Sequence, residues 1–252
     1  LKDFWKSYLS RLQVKTPDQT TNTMLNIHNP RQCYITKTWS RYLSLYQLGY
    51  GKDRGIGFRD SCQDVMGILP NAADEARSFL TSILSVQKKD GSAMHQYNPL
   101  TMEGNAGDSA EYEDRPSYYS DDHLWAVLAV TAYIKETGKT DILEEAVPFY
   151  EKTRDGTPEE SGSIYEHLRR AVGFTARHTG AHGLPLLGFA DWNDTVNLPQ
   201  GAESVFTACL YGKALLELEA LAEVIGSQND ASEYRRLYLE MKARVENSAW
   251  DG

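Results

Sequence analysis

Cysteine is scarce in this chain. Cys33, Cys62 and Cys209 lie far apart, and no CxxC pair occurs. That usage excludes a disulfide framework and a zinc site, and it fits reduced thiols in a cytoplasmic protein. Long apolar runs are also missing: none approaches the roughly 18 residues that a membrane span needs. Lys and Arg never gather into a run, and the formal net charge is −9. A diffuse acidic surface repels polyanions, which excludes nucleic acid as a natural partner. The opening residues Leu1-Lys2-Asp3-Phe4-Trp5 lack an initiator Met and do not form a signal peptide. Low-complexity segments, sequence repeats and strand alternation of useful length are absent too. Only Ile56–Phe58 and Leu184–Leu187 read as short extended pieces.

What remains is an ordinary globular composition, with 41% hydrophobic and 24% charged residues in 252. A chain of this length buries a sizeable core without staples. The 15 Tyr and 5 Trp supply side chains with an apolar face and a polar tip, which suit sugars. A large helical core would use the same residues.

Helical spacing dominates. Ile35, Trp39, Tyr42 and Tyr46 share one face before Gly49. Ala76, Phe79, Leu80, Ile83 and Leu84 form a second stripe, with a stop expected at Asp90-Gly91. A third helix starts at Asp121 or Asp122, carries Leu124, Val127, Leu128 and Thr131, and ends at Gly138. Asp141–Glu144 reads as a capping box for a short helix that Pro148 curtails. Ser163–Glu166 is a second box, opening a helix through Leu168, Val172 and Thr175. A long helix spans about Glu203 to Ile225, and Asp230–Glu233 opens the last, toward Val245. Two long loops, about 91–120 and 180–201, interrupt this rhythm. Long ordered loops usually carry function, and in a ring of helix pairs they would gather at one end.

Three segments hold candidate chemistry. In Arg54–Asp64, two arginines and two aspartates sit beside Gly55 and Gly57 at a helix start. Glycine admits a ligand close to the backbone, Arg forks onto hydroxyls or phosphate, and Asp accepts from sugar hydroxyls. A helix start with an acidic first turn uses the same residues. The GxG is no dinucleotide fingerprint, because the third glycine and a preceding strand are missing. In Gly188–Thr195, Asp191 and Asp194 flank Trp192. An indole packs against the CH face of a pyranose, and a carboxylic acid beside it can protonate a glycosidic oxygen. Asp194 is placed for that role; two turn aspartates and a core Trp would read alike. The third segment is Asp90–Pro99, followed by Glu111–Asp114 and Tyr118–Trp125. It is dense in hydroxyls, amides and aromatics, as a carbohydrate groove would be. His95 and His123 lack HxH or HxxxH spacing and read as hydrogen-bonded histidines, not metal ligands. Asp121 and Asp122 serve equally as caps. Glu166, His28, His167, His178 and His182 take no functional role.

Together these segments resemble the glycoside hydrolase family 94 phosphorylases, formerly glycosyltransferase family 36, whose best-known members act on cellobiose and cellodextrins. The resemblance rests on RGIGFRDSCQD at Arg54–Asp64, DGSAMHQYNPLT at Asp90–Thr101 and DDHLW at Asp121–Trp125. It continues through HGLPLLGFADWNDTVNL at His182–Leu198 and GAESVF at Gly201–Phe206. Their order and spacing cover nearly the whole chain. The resemblance implies an all-α fold, an (α/α)6 barrel or six-hairpin toroid, usually preceded by a β-sandwich. It implies Asp194 as general acid and Arg54, Asp60 and Trp192 as holders of the sugar before the scissile bond. Arg59, Gln63, Asp64 and Asp122 are carried only as site lining.

The implied activity is inverting phosphorolysis of a β-glucoside of cellobiose or cello-oligosaccharide type, and the reverse synthesis. An inverting hydrolase needs two carboxylates, one acid and one base. A phosphorylase needs only the acid, since phosphate is already an anionic nucleophile. Inorganic phosphate is thus a co-substrate, and no metal or organic cofactor is implied. Alternatives are a β-1,2-glucan or cellobionic acid phosphorylase, an inverting (α/α)6 hydrolase, and a non-catalytic helical scaffold that binds carbohydrate. The chain ends at a motif, Ala249–Gly252, that in the family lies mid-barrel. Residues 1–252 are therefore expected to be the N-terminal half of the barrel. The β-sandwich and the C-terminal half, with its phosphate ligands, would lie outside it. Such a piece is expected to be weakly active or inactive unless a second chain completes the ring; the alternative partner is a second copy in a homodimer.

Overall fold

The computed structural model describes residues 1–40, 55–196 and 198–251. It is an all-α assembly of helices with small antiparallel strand pairs in the connections. The chain opens with α1 (Lys2–Leu9), whose Phe4, Trp5 and Tyr8 pack against Tyr34. It continues through α2 (Gln19–Thr23) and α3 (Asn29–Ile35), each followed by a π-helical turn, Met24–His28 and Thr36–Ser40. The expected stripe begins here, but the wider turn rotates Trp39 outward, and it is exposed. Tyr42, Tyr46 and Gly49 lie outside the described residues.

The core is built by α4 (Phe58–Met66), α5 (Leu69–Leu84), α6 (Asp122–Thr137), α7 (Ile164–Arg177), α8 (Val205–Val224) and α9 (Gln228–Ser248). Helix α6 is central and packs against α4, α5, α7 and α8. Its sequence is apolar nearly all round, so it can lose solvent on every face. Leu124, Val127, Val130 and Tyr133 are fully buried. Each of the three aliphatic side chains contributes about 1.5–3 kcal/mol of burial free energy. Gly138 ends α6 at φ 70°, its N–H returning to the Ile134 carbonyl, as its position in the sequence predicts. Helices α8 and α9 form an antiparallel hairpin. The stripe Ala231, Tyr234, Leu237, Tyr238, Met241 and Val245 of α9 faces the core at steps of three and four.

Some boundaries differ from the sequence reading. Helix α5 stops at Leu84, well before Asp90-Gly91, because the chain turns at Ser85 and bridges Gln87 to Ala93. Asp141 does not cap a helix. It lies in a 3-10 turn (Thr140–Glu144) and accepts from Arg77 Nη2 at 2.7 Å, while Pro148 closes a strand, Ala146–Pro148, paired with Ser161–Ser163. Asp230 lies inside α9, not at its cap, and accepts from Tyr165 Oη and Ser227 Oγ. The box at Ser163 forms as expected: its Oγ accepts from Glu166 N at 3.2 Å. Ile56–Gly57 (β1) is indeed extended and pairs with Gln96–Tyr97 (β2), which pairs in turn with Gly104–Asn105 (β3).

Candidate active site

The N-terminal ends of α4, α6 and α8 converge, and the two long loops meet over them. Phe189 N donates to Tyr118 O at 2.8 Å, and Ser120 N donates to Ala190 O at 3.0 Å. Tyr119, Phe189 and Ala190 form a small apolar cluster beneath this seam. Arg115 clamps it from outside, lying 4.1 Å over the Phe189 ring and donating to the Phe189 carbonyl at 2.7 Å. Ser204, the cap of α8, donates to Asp191 Oδ2 at 2.7 Å and accepts from Thr207 N at 3.0 Å. The 188–194 loop is thus tied to a rigid helix end.

Arg59 is the hub. It is the second residue of α4, and its side chain is buried. Nη1 donates to Asp121 Oδ1 at 2.9 Å and to the Asp191 carbonyl at 2.8 Å. Nη2 donates to Asp194 Oδ1. Nε lies 4.0 Å from Asp122 Oδ1. Burial opposes its charge, but Asp121, Asp122 and Asp194 outweigh that and hold the guanidinium even more firmly protonated than usual.

Asp121 and Asp122 were equally plausible as helix caps, and neither caps in the ordinary way. Asp121 occupies the N-cap position without a side-chain bond to the helix. Its carboxylate accepts from Arg59 and from Trp125 Nε1, the latter at 2.9 Å. Burial and the neighbouring Asp122 push Asp121 up to about 7, against the pull of Arg59. Asp122 is fully buried, and its Oδ2 meets His95 Nδ1 at 2.9 Å. Burial lowers the basicity of His95, but Asp122 more than restores it, so the imidazole sits above the ordinary histidine range. His95 also stacks on Tyr119, with centroids 3.5 Å apart and planes 12° from parallel.

On the open side, Trp192 is 53% exposed and the Asp194 side chain 54% exposed. Gln63 lies one turn beyond Arg59 on α4, and its Oε1 accepts from Trp192 Nε1 at 3.4 Å, which orients the indole. Asp60 is half-buried in the first turn of α4, folded back over Gly57. Asp64 faces elsewhere, lining a cavity of about 470 Å³ with Lys37, Ser61, Glu75 and Tyr97. Arg54 lies outside the described residues. The structure therefore brings Arg59, Gln63, Asp122, Trp192 and Asp194 together, with Asp60 on the same helix turn, and places Asp64 on the wall of the 470 Å³ cavity.

The glycines of the first motif have a structural reason of their own. A Cβ on Gly55 would lie 2.5 Å from Tyr97 N, and one on Gly57 would lie 2.3 Å from Asp60 Oδ2. They admit β2 and a carboxylate. The Asp90–Pro99 segment is likewise packed inward, with Ser92, Ala93, His95 and Tyr97 buried, so it supports the site from behind and is not an open groove. His95, Tyr119 and Asp121 lie in the third candidate segment, and His95 is hydrogen-bonded as expected; what sequence reasoning missed is their convergence on Arg59, for which the Asp121-Asp122 pair at a helix start was the local hint. His123 is a buried, hydrogen-bonded histidine as expected, its Nε2 2.7 Å from Thr175 Oγ1. Among the described residues no group of three or more His, Cys, Asp or Glu side chains is arranged to hold a metal ion, and no helix is long and apolar enough to cross a membrane.

The exposed Asp194 carboxylate and Trp192 indole thus lie over a buried charge cluster in an all-α domain. The chain belongs to the glycosyl hydrolase 94 superfamily, whose catalytic-domain model matches residues 4–252. Along its whole length it is 31% identical to an N,N'-diacetylchitobiose phosphorylase of Vibrio proteolyticus, covering 32% of that protein. It is 31% identical to a solabiose phosphorylase of Paenibacillus borealis, covering 30%. It is 29% identical to the cyclic beta-(1,2)-glucan synthase NdvB of Rhizobium meliloti, covering 9%. The chain spans about a third of the length of the first two relatives.

Proposed function

We propose that this chain carries the general acid of an inverting glycoside phosphorylase, within part of an (α/α)6 barrel. Inorganic phosphate attacks the anomeric carbon of a β-linked sugar from the face opposite the leaving group. The new C–O bond to phosphate forms as the glycosidic C–O bond breaks. Asp194 transfers its proton to the departing oxygen, and the product is an α-sugar 1-phosphate. Asp194 Oδ1 is engaged by Arg59, so Oδ2 is the oxygen assigned to carry the proton. The indole of Trp192 forms the platform for the sugar ring. Asp60 holds sugar hydroxyls, as does Arg54 by resemblance. No cofactor enters this scheme.

The observation that carries the reading is the half-exposed carboxylate of Asp194, two residues from an exposed indole and fixed by a buried arginine. Hydrolysis would need a second carboxylate to activate water. Among the described residues Asp121 is engaged by Arg59 and Trp125, Asp122 by His95, and Asp191 by Ser204 and the Asn193 amide. Phosphate as the nucleophile is supported by the phosphorylases among the relatives. The related phosphorylases are named for chitobiose and solabiose, at equal identity to this chain. As the donor we propose a β-glucoside of cellobiose type, on the strength of the motif resemblance.

The test is a product screen on the full-length protein with cellobiose, N,N'-diacetylchitobiose and solabiose, each with and without phosphate. The expected result is an α-sugar 1-phosphate, seen by phosphorus NMR, from one disaccharide and only when phosphate is present. Equal release of free monosaccharides without phosphate would establish hydrolysis instead. Binding without turnover of any donor would favour a scaffold.

A further inference from the structure

Asp122 is a costly residue in its position. It is fully buried, yet only Oδ2 is hydrogen-bonded; Oδ1 has no hydrogen-bond partner among the described residues. A buried carboxylate left half-satisfied seeks the nearest cation. Two donors are in reach, the His95 imidazole, whose Nδ1 lies 2.9 Å from Oδ2, and the Arg59 guanidinium, whose Nε stands 4.0 Å from the bare oxygen. The same guanidinium spends Nη1 on Asp121 and the Asp191 carbonyl, and Nη2 on Asp194. It cannot close on Asp122 without rotating away from those partners.

His95 is held in place from three directions. Its ring stacks on Tyr119. Gly107, at φ 61°, leaves room for it: a Cβ there would stand 2.5 Å from His95 Cδ2. Its carbonyl accepts from Phe58 N at 2.9 Å, one residue before Arg59. The imidazole is therefore fixed relative to the start of α4, and it engages Asp122 through Oδ2, the oxygen other than the one nearest Arg59.

We propose that His95, acting through Asp122, is a positioning residue that keeps Arg59 aligned on Asp194. This rests on the reading of Asp194 as the acid. With the imidazole in place, Asp122 is satisfied enough to leave Arg59 to the acid loop. Without it, Asp122 draws the guanidinium inward, and both the Asp191 carbonyl and the Asp194 carboxylate lose their anchor. Displacing a catalytic group by about 1 Å costs on the order of 100-fold in rate.

The test compares His95→Leu, His95→Asn and the double variant His95→Leu/Asp122→Asn with Asp122→Asn alone, in the full-length enzyme with phosphate and its disaccharide donor. Leu removes the donor group; Asn restores an N–H at the position of Nδ1. His95→Leu should lose on the order of 100-fold in kcat with KM little changed, and His95→Asn should recover most of it. Adding Asp122→Asn, which removes the charge that pulls on Arg59, should make the Leu substitution nearly silent, within about twofold of Asp122→Asn. The double variant carries the test even if His95→Leu alone does not fold, because it buries no unpaired charge. Equal losses in the Leu and Asn variants, or a further drop of about 100-fold in the double variant, would overturn the proposal. A glycosyl fluoride donor separates this from the acid assignment, since its leaving group needs little protonation. The His95→Leu defect should shrink on it if the residue acts through Asp194. If Asp194→Asn leaves the disaccharide reaction intact, the acid assignment fails instead.

Discussion

Arg59 on α4 donates to the carboxylate of Asp194, 135 residues further along the chain. One buried cation thereby fixes both the carboxylate and, through the Asp191 carbonyl, the turn that bears it. A catalytic acid is useful only where its geometry is held by groups that are themselves immobile, and the acid proposed here, Asp194, leans on a guanidinium anchored in a buried cluster.

Separate roles follow for Asp194 and Trp192. Asp194→Asn should lower kcat by roughly 10²–10⁴-fold, the usual contribution of a general acid, with sugar binding retained. Trp192→Ala should raise KM about tenfold with a smaller effect on kcat, since a stacking platform acts on bound sugar generally. Steady-state kinetics with phosphate in excess reads both. An unchanged kcat in the Asn variant removes the acid role.

Arg59→Ala should be a stability variant before it is an activity variant. It leaves Asp121 and Asp122 buried without their shared cation, and breaking such a set costs about 3–5 kcal/mol. Urea unfolding reads this. A loss below about 1 kcal/mol would mean that solvent reaches the cluster freely.

Gly91 and Gly138 both adopt positive φ, at 98° and 70°, but differ in surroundings. A Cβ at Gly91 would lie 2.0 Å from the Arg170 carbonyl oxygen, whereas one at Gly138 meets nothing within 4 Å. Gly138→Ala should cost about 1 kcal/mol, the left-handed penalty alone. Gly91→Ala should cost clearly more, because two backbones must move apart. Similar thermal midpoints for the two variants would contradict this.

The pH dependence of stability should carry the mark of His123. Burial holds its imidazole down at about 3, with Nε2 on Thr175 and, among the described residues, no hydrogen-bond partner for Nδ1. The unfolded chain takes up a proton near pH 6.5, and the folded one does not. His123 therefore contributes stability that is complete above pH 6.5 and lost as pH falls, by about 2 kcal/mol at pH 5. His95 works with the opposite sign. Its raised basicity contributes fully below pH 6.5 and is lost as pH climbs past that value. Replacing His123 by Gln should flatten the decline between pH 7 and pH 5, measured by urea midpoints. An unaltered slope would show that residue 123 does not stay neutral in the fold.

Much of the helical framework was legible beforehand because its causes are local. The stripe Leu124, Val127 and Thr131, the stop at Gly138 and the cap at Ser163 each follow from residues within a turn or two of one another. The boxes at Asp141 and Asp230 failed for a tertiary reason. Arg77 and Tyr165 from other elements took the carboxylates that capping would have used. In the candidate site, the motif carrying Trp192 and Asp194 could be picked out as a carboxylate beside an indole. The weight of Arg59 could not.

The sequence alone determined which residue types this protein has to work with, where its helices run and which family its motifs resemble. These depend on short-range spacing, which the chain displays directly. Only the tertiary structure decided that His95, Asp121 and Asp122 would surround Arg59, and that Asp64 would face another cavity. Arg59 and Asp121 are 62 residues apart. Charges that distant along the chain interact only when folding removes the water between them, and nothing in their local sequence records that it will.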